Sequence, residues 1–431
     1  MRRTTGCAVA LLLACAAPLA AQTLAPIPLG ASSKLTVSVE ERARWEYREN
    51  ADFREAKDDT NSFVGNRLRL GLRFDVTERF TAFFQGQDSR QWGSDLKFTD
   101  LSAHYDDLRQ AYLELRAAKG ALKGFSLRVG RQEILLGEER LVGAFGWSNV
   151  GRSFDAAKLR YGAKGFFVEG FYADARTRPL VPDKSTQSLW GADAGLFQGR
   201  PASLELYALV KEDRARVQGE TAAPARNTEI STWGGRLLWK PAKGLAFMAE
   251  AAWQTGHRGP DAHRADAQAL RVDYVFPGEW KPAAGVEYDR ASGDSDPADG
   301  RSGSFDNLFP TNHNKYGLMD CHNWSNLGDL RFFGSAKPRP WLTLALEAHD
   351  FRLDSARAPW TSAGGAVLGW DKTGRSGTRV GREVDFTAGG TFRKAYSWLA
   401  GCSAYWPGNF ARATRGGDAS RFVYVQFGLS F

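Results

Sequence analysis

Residues 67–74 read RLRLGLRF, so that every second position is Leu or Phe. Three other stretches alternate in the same way, namely 35–39 (LTVSV), 270–276 (LRVDYVF) and 423–431 (VYVQFGLSF). Successive side chains of a strand point to opposite faces of a sheet, so this period of two predicts strands with one apolar and one polar face. From about residue 34 onward the two-residue period dominates over the 3.6-residue period of a helix.

The composition fits two-faced strands better than apolar membrane helices. The mean hydropathy is -0.40 and 25% of residues are charged, yet 12% are aromatic, including 27 Phe and 14 Trp. The one long apolar run, Ala8–Ala17, is too short to span a bilayer as a helix. A membrane β-barrel reconciles these features, because lipid contacts one face of each strand and water the other. A large soluble all-β protein is the alternative, and it would have to bury one apolar face of every strand.

The alternation marks eighteen candidate strands in the 431 residues. They lie near 34–47, 65–76, 79–90, 107–116, 125–132, 154–161, 165–173, 189–198, 203–211, 229–239, 245–254, 266–276, 283–290, 329–336, 341–351, 381–391, 397–405 and 421–431. Many approach the roughly 9–11 residues that a tilted membrane strand needs. The prediction is therefore an all-β, transmembrane, antiparallel up-and-down β-barrel of about 18 strands over residues 34–431.

The connections alternate between short and long. The short ones lie near 77–78, 117–124, 162–164, 199–202, 240–244, 277–282, 337–340 and 392–396, and the long ones include 48–64, 91–106, 133–153, 174–188, 212–228, 291–328, 352–380 and 406–420. Outer-membrane barrels have short periplasmic turns and long extracellular loops. This alternation, with Trp and Tyr near many strand ends, predicts a place in the bacterial outer membrane with both termini periplasmic.

The N-terminus has the features of a secretory signal. Arg2 and Arg3 precede the apolar stretch Cys7–Ala16, and small residues follow at 18–21. We predict a signal peptide over 1–21 and a periplasmic segment over 22–33; a hydrophobic N-terminal strand and lipidation of Cys15 are the alternatives. Loss of Arg2 and Arg3 lowers the net charge from +8 to +6, and this modest, dispersed charge does not indicate nucleic-acid binding.

A barrel of 16–18 strands encloses a water-filled channel, so the polar strand faces predict its lining. The candidate pore-lining residues on the early strands are Arg42, Arg44, Arg67, Arg69, Arg73, Arg128, Lys158 and Arg160, whereas later strands contribute Asp273, Glu287, Asp289, Glu347 and Asp385. Arginine clusters select anions and bind carboxylate or phosphate in a bidentate manner. The pattern predicts a transverse field and anion-favouring passage of a polar solute. The alternative is that Arg pairs with Asp and Glu merely to fill a polar lumen.

One segment carries a family resemblance. Residues 128–133 (RVGRQE), 137–143 (GEERLVG) and 147–155 (WSNVGRSFD) resemble the signature of the alginate export family of outer-membrane porins, and the similarity extends from about residue 34 to the C-terminus. The resemblance implies an 18-stranded barrel with a basic constriction, through which the best-known members export an anionic polysaccharide. It places Arg128, Arg131, Arg152 and Asp155 at or near the narrow zone.

The other interpretation of this segment is a loop folded against the wall, with Arg131, Glu133, Glu138 and Arg140 in mutual ion pairs. We favour that interpretation for Glu138, Glu139 and Arg140, and pore lining for Arg128 and Arg131.

No catalytic, cofactor or metal motif stands out. The sequence lacks Gly-x-Ser-x-Gly, five of its six His fall in predicted loops, and neither Cys321-His322 with His313 nor Asp294–Gly300 has complete metal-ligand spacing. We predict a non-enzymatic channel without cofactors. Its expected partners are outer-membrane lipid and lipopolysaccharide, a polar or anionic solute, and the barrel-assembly machinery. The alternating C-terminal strand that ends in Phe431 resembles the signal that this machinery recognises. A general diffusion porin, a barrel hydrolase and a surface adhesin are the alternatives.

Overall fold

Eighteen long antiparallel strands form a closed barrel in the computed structural model, which describes residues 25–54, 59–93, 105–176 and 186–431. The strands are β1 (Lys34–Glu49), β2 (Asn61–Asp75), β3 (Phe80–Trp92), β4 (Tyr105–Arg116), β5 (Phe125–Gln132), β6 (Ser153–Ala163), β7 (Phe166–Arg176), β8 (Gln187–Leu196), β9 (Ala202–Val217), β10 (Arg226–Ala242), β11 (Leu245–Arg258), β12 (Asp261–Val275), β13 (Ala283–Ala291), β14 (Leu327–Arg339), β15 (Leu342–Arg352), β16 (Arg379–Phe392), β17 (Tyr396–Pro407) and β18 (Ser420–Ser430).

Each strand pairs with the next one in the chain, and the last pairs with the first. β1 pairs with β18 from Glu40 opposite Ser430 to Glu49 opposite Arg421, which closes the wall without a free edge. Every wall pairing is antiparallel, which confirms the predicted up-and-down barrel. Each of the eighteen predicted strands has its counterpart.

The two faces of the wall differ sharply in polarity. On β2, Leu70 and Leu72 have 50% and 40% of their surface exposed, whereas the alternating Arg67 and Arg69 are 5% and 8% exposed. The apolar face points outward and the polar face into the lumen, the reverse of a soluble protein. This orientation is incompatible with the soluble all-β alternative, because large apolar side chains are exposed on the outer surface around the whole barrel.

The short connections are as predicted, but one long-side connection is not a loop. β11 and β12 extend to Arg258 and Asp261, beyond the predicted ends at 254 and 266, and only Gly259 and Pro260 join them. Gly259 has φ +58°, a left-handed conformation that favours glycine. Polar residues occupy both faces of this extension, so the alternating pattern stops while the backbone ladder continues.

Two of the long loops fold into the lumen. We call residues 133–152, between β5 and β6, loop A, and residues 292–326, between β13 and β14, loop B. They meet in a parallel bridge between Val142 and Phe309, where the Phe309 amide donates to the Leu141 carbonyl at 2.8 Å and the Gly143 amide to the Phe309 carbonyl at 2.9 Å. Much of the buried apolar core therefore lies inside the barrel, between these loops and the wall.

Smaller elements complete the described chain. A two-residue strand at Ile27–Pro28 pairs with the start of β1, and the two-residue strand Arg301–Ser302 of loop B pairs in parallel with Ala262–His263 of β12. A short strand pair (Trp360–Thr361 and Val367–Gly369) lies in the loop after β15, and a six-residue helix spans Asn409–Thr414. No helix in the described ranges is both long and apolar enough to span a bilayer. The predicted signal peptide, residues 1–21, lies outside the described residues and stays a prediction.

Candidate functional site: the luminal constriction

Loop A crosses the lumen and is attached at its tip to β1 and β2. Arg42 donates to the carbonyl oxygens of Gly146 at 2.9 Å and Ser148 at 3.1 Å, and Arg67 donates to the same two oxygens at 3.1 and 3.2 Å. Arg44 donates to the Trp147 carbonyl at 2.8 Å, and its guanidinium carbon lies 3.6 Å from the centre of the indole ring. These arginines, predicted to line the pore, therefore reach the backbone of the loop that crosses it.

Neutral side chains extend this attachment to β3. Gln87 donates to the Val150 carbonyl and Ser89 to the Asn149 carbonyl, each at 2.9 Å. The Asn149 amide donates in turn to the backbone carbonyls of Asn66 and Arg90 at 3.0 and 3.1 Å. Backbone carbonyls along the whole tip of loop A accept these hydrogen bonds. The side chains of the wall therefore hold the tip in position without requiring a charged side chain on the loop.

The other end of loop A is attached to the opposite wall by Arg140. This side chain is 1% exposed; Nη1 lies 3.1 Å from Oδ1 of Asp289, Nε lies 3.7 Å from Oε2 of Glu250, and Nη2 donates to Glu287. Tyr316 of loop B accepts a further hydrogen bond at 3.0 Å. Burial alone would lower the Arg140 pKa, but the surrounding carboxylates raise it well above its ordinary value.

Glu138 makes the complementary contact on the same wall. It accepts two hydrogen bonds from Arg271 at 2.9 and 3.0 Å. It also lies 3.4 Å from Arg236 and 4.0 Å from Lys315 of loop B. Burial opposes ionisation, but the Arg271 hydrogen bonds and the nearby cations lower the Glu138 pKa to about 2. The prediction of mutual ion pairs within the loop was wrong, because Glu138 and Arg140 pair with opposite charges on the wall strands.

Below the two loops, toward the short turns, the inner wall carries a row of cations. We call Arg73, Arg116, Arg128, Lys158 and Arg160 the basic row; their side chains are 18–39% exposed. Their carboxylate partners are Asp75, Glu114 and Glu169, which is two fewer negative than positive groups.

The opposite wall is acidic. Glu250, Glu287, Asp289, Asp329, Glu383 and Asp385 are each at most 6% exposed. Two side chains of the same wall pair with these carboxylates: Arg331 lies 2.9 Å from Glu287, and Nδ1 of His349 lies 2.9 Å from Asp329. The loops thus span from a basic wall to an acidic one.

Comparison with known proteins agrees with this architecture. A model of the alginate export family matches residues 33–425. The chain belongs to the alginate export family. A search of curated proteins found no match.

Solved porin structures share the fold of this alginate export family member. Pseudomonas aeruginosa OccK5 (OpdH) is 12% identical with a TM-score of 0.61, over 92% of this chain and 98% of that one. P. aeruginosa OccK8 (OprE) is 11% identical with a TM-score of 0.60, over 92% and 98%. The P. aeruginosa outer membrane protein OprD is 9% identical with a TM-score of 0.59, over 92% and 94%. At these identities the likeness is one of fold; together with the family it identifies an outer-membrane channel for solutes.

Two residues that the resemblance placed at the narrow zone lie on the other face of the wall. Arg131 and Asp155 are paired across β5 and β6, and their neighbours Gln132 and Phe154, both 0% exposed, point inward, with Phe154 packed on Phe309 of loop B. Because faces alternate, Arg131 and Asp155 face outward, where Asp155 also binds Arg176. Pore lining by these two residues is therefore wrong.

The remaining predicted residues face the lumen in different ways. Arg152 is partly buried and donates to the carbonyls of Gly143 at 3.2 Å and Pro310 at 3.0 Å, so it braces loop A against loop B. Burial lowers its pKa to about 10. Arg69 donates to Gln87 and lies 3.7 Å from Glu40. A pore-lining role of Arg69, as of the basic row, stays a prediction.

The metal candidates do not assemble. Cys321 donates to the Met319 carbonyl, His322 bonds Tyr405, and His313 bonds Asp320. Asp294 accepts from backbone amides of its own loop, at Asp296 and Gly303. Among the described residues no group of three His, Cys, Asp or Glu is arranged to hold a metal, and Cys321 and Cys402 are both free thiols.

Two histidines assigned to loops lie instead in strands. His257 belongs to β11 and His263 to β12. His263 bonds Gln254 and Ser302, so it ties loop B to the wall, and His104 lies outside the described residues.

Proposed function

We propose that this protein is a passive, anion-favouring outer-membrane channel for a polar acidic solute, such as a sugar acid or a segment of acidic polysaccharide. The basic row carries the proposal. Its five cations outnumber their carboxylate partners, remain partly exposed, and lie where a solute would pass beneath loops A and B.

The loops favour a narrow, selective path over a general diffusion pore. Loops A and B fill much of the lumen with buried apolar side chains, so that less of it is left to water. Guanidinium groups beside this narrowed path can bind a carboxylate through two parallel hydrogen bonds. A row of such groups lets an anion exchange one partner for the next.

The direct test is ion selectivity in planar bilayers. We expect the protein to favour chloride in a salt gradient, and substitution of Arg128, Lys158 and Arg160 by Gln to move the reversal potential toward cation preference. Arg131→Gln is the matched control, because strand alternation places that side chain on the outer face beside Asp155. A cation-selective parent channel, or a triple variant with unchanged selectivity, would contradict the proposal.

Solute class is tested by liposome swelling. Glucuronate should enter protein-containing liposomes faster than glucose, and the triple variant should reduce this ratio. Equal rates for the two sugars in the parent protein would instead support a general diffusion porin.

A further inference from the structure

Three arginines surround one carboxylate where β15 and β16 reach their long-loop ends. The Nε atoms of Arg352 and Arg382 donate to Asp350 at 3.2 and 3.0 Å. Nη2 of Arg379 donates to the same carboxylate at 3.2 Å. We call these three arginines and Asp350 the rim cluster. Because three positive groups share one negative group, the cluster carries a surplus of two positive charges.

The rim cluster lies on the outer surface of the barrel. On β15, Phe351 is 0% exposed and points into the lumen, so the adjacent Asp350 and Arg352 point outward. Arg382 of β16 lies directly opposite Asp350 in the register and therefore points to the same side. Arg379 lies beyond an irregularity of this register, and its bond to Asp350 places its guanidinium on the outer side as well.

The cluster lies at the boundary of the apolar belt. Leu346 of β15 and Phe386 of β16 point outward between the short turns and the cluster, and they are 54% and 42% exposed. Trp406 of β17 lies opposite Arg382 in the register and is 49% exposed. Outward-facing Trp marks the membrane interface of a barrel. The cluster is therefore at the level of the lipid headgroups on the side of the long loops, which is extracellular in outer-membrane barrels.

The positive charge of the cluster is accessible. The side chains of Arg352, Arg379 and Arg382 are 61%, 43% and 63% exposed. Their described bonds to Asp350 use only the Nε atoms of Arg352 and Arg382, which leaves the Nη groups of these two residues for another acceptor.

Two other groups of charges with outward-facing arginines differ from the rim cluster. In the first group two arginines meet two carboxylates, and in the second one arginine meets two carboxylates. The first consists of Arg131, Arg176, Asp107 and Asp155, and the second of Arg90, Asp88 and Asp106. Their arginines are 17–33% exposed, so the rim cluster differs from both in its surplus positive charge and in its exposure.

We infer that the rim cluster binds a phosphate group of lipopolysaccharide in the surrounding outer leaflet. Guanidinium groups bind phosphate through two parallel N–H···O bonds, and clusters of basic residues at the headgroup level recognise anionic lipids. Asp350 holds the three guanidiniums together without neutralising them. Leu346 and Phe386, next to the cluster, offer an apolar surface to the acyl chains of the same molecule. A solute inside the lumen does not reach this outer face, so the adjacent lipid is the source of the phosphate.

Titration with a defined lipid tests the inference. The full chain in detergent is titrated with lipid A that carries both of its phosphates, and bound lipid is counted by native mass spectrometry. The double variant Arg352→Gln with Arg382→Gln should raise the dissociation constant by about tenfold or more, because it removes charge-assisted hydrogen bonds to the phosphate. Arg264→Gln is the matched control, since Arg264 is an exposed, outward-facing arginine near the same end of β12 and should leave binding unchanged.

Other anions separate the sources of phosphate. Lipid A without its phosphates should bind the parent chain as weakly as phosphorylated lipid A binds the double variant. Equal affinity of the parent for the two forms of lipid A would overturn the inference, as would unchanged affinity in the double variant. Displacement of lipid A by inorganic phosphate would assign the cluster to a free anion, and equal affinity for phosphatidylglycerol would assign it to anionic lipids in general.

Two further measurements show that the variants report on this site alone. Heat-modifiable gel mobility should match the parent, because the substituted side chains are largely exposed. Ion selectivity should also be unchanged, because the cluster lies outside the channel. A change of selectivity as large as that of the Arg128, Lys158 and Arg160 triple variant would place the cluster in the solute path and overturn the inference.

Discussion

The two ends of loop A are held by opposite means. At the tip, arginines of β1 and β2 donate to neutral backbone carbonyls of the loop. At the other end, Arg140 belongs to the loop and enters a cluster of wall carboxylates. The comparison shows that a count of lumen-facing arginines does not measure the charge available to a solute, because several of them are structural.

The two attachments also differ in how they depend on their partners. Neutral carbonyls at the tip remain tolerable when an arginine is lost, since water can replace one donor. Without Arg140, the buried carboxylates Glu250 and Asp289 would lose their nearest cation, whereas Glu287 would keep Arg331. We therefore expect the largest effects at the acidic wall.

Arg140→Gln should have the largest effect. It leaves Glu250 and Asp289 without their nearest cation, and breaking a buried pair in this way costs about 3–5 kcal/mol. We expect a lower free energy of unfolding in denaturant titrations and a larger single-channel conductance as loop A detaches. Arg140→Lys keeps the positive charge but loses the planar guanidinium with its several donors, so its stability and conductance should lie between those of the parent and of Arg140→Gln. A parent-like conductance in Arg140→Gln would show that loop A does not set the width of the channel.

Arg42→Gln should have a smaller effect at the tip. It removes donors to Gly146 and Ser148, and hydrogen bonds from charged groups contribute about 1.5–3 kcal/mol. Arg67 still holds the same carbonyls, so we expect brief conductance fluctuations and no lasting opening. If Arg42→Gln opened the channel as fully as Arg140→Gln, the contrast between the two ends would fail.

Acid should weaken the Glu138 attachment. The folded pKa of about 2 lies below the unfolded value of about 4.3, so its stabilisation is present above pH ~4.3 and is lost as the pH falls toward 2. Current noise should rise over this window, and Glu138→Gln should remove that part of the change. Noise with the same pH profile in Glu138→Gln would assign the effect to other groups.

Arg131→Gln should have the smallest effect. Its side chain faces outward and pairs with Asp155, so ion selectivity should be unchanged, whereas Arg128→Gln on the inner face of the same strand should reduce anion preference. A selectivity change at position 131 equal to that at 128 would place both side chains in the channel.

The barrel was predictable from sequence because its cause is local. Alternation along RLRLGLRF (67–74) and its equivalents gives each strand and its face without reference to distant residues. The same rule could have corrected the error at β5 and β6. Residues 128 and 131 differ by an odd number, as do 155 and 158, so they cannot share a face of a regular strand.

The constriction was not predictable in the same way. Arg140 meets Glu250 and Glu287, which lie more than a hundred positions further along the chain, and nothing local to residues 137–143 identifies that wall. One feature of the sequence could have identified Glu250 as a residue of the lumen. It is a charged residue within the mainly apolar LAFMAEAAW of β11 and lies on the face opposite Trp253.

Loop A joins β1–β3 to strands on the far side of the barrel. A wall one backbone layer thick would readily flatten into an ellipse when the surrounding lipids press on it. A segment that is attached to opposite walls at its two ends resists that deformation. The passage should then keep its shape in bilayers of different lateral pressure, as long as Arg140 and the tip arginines stay attached.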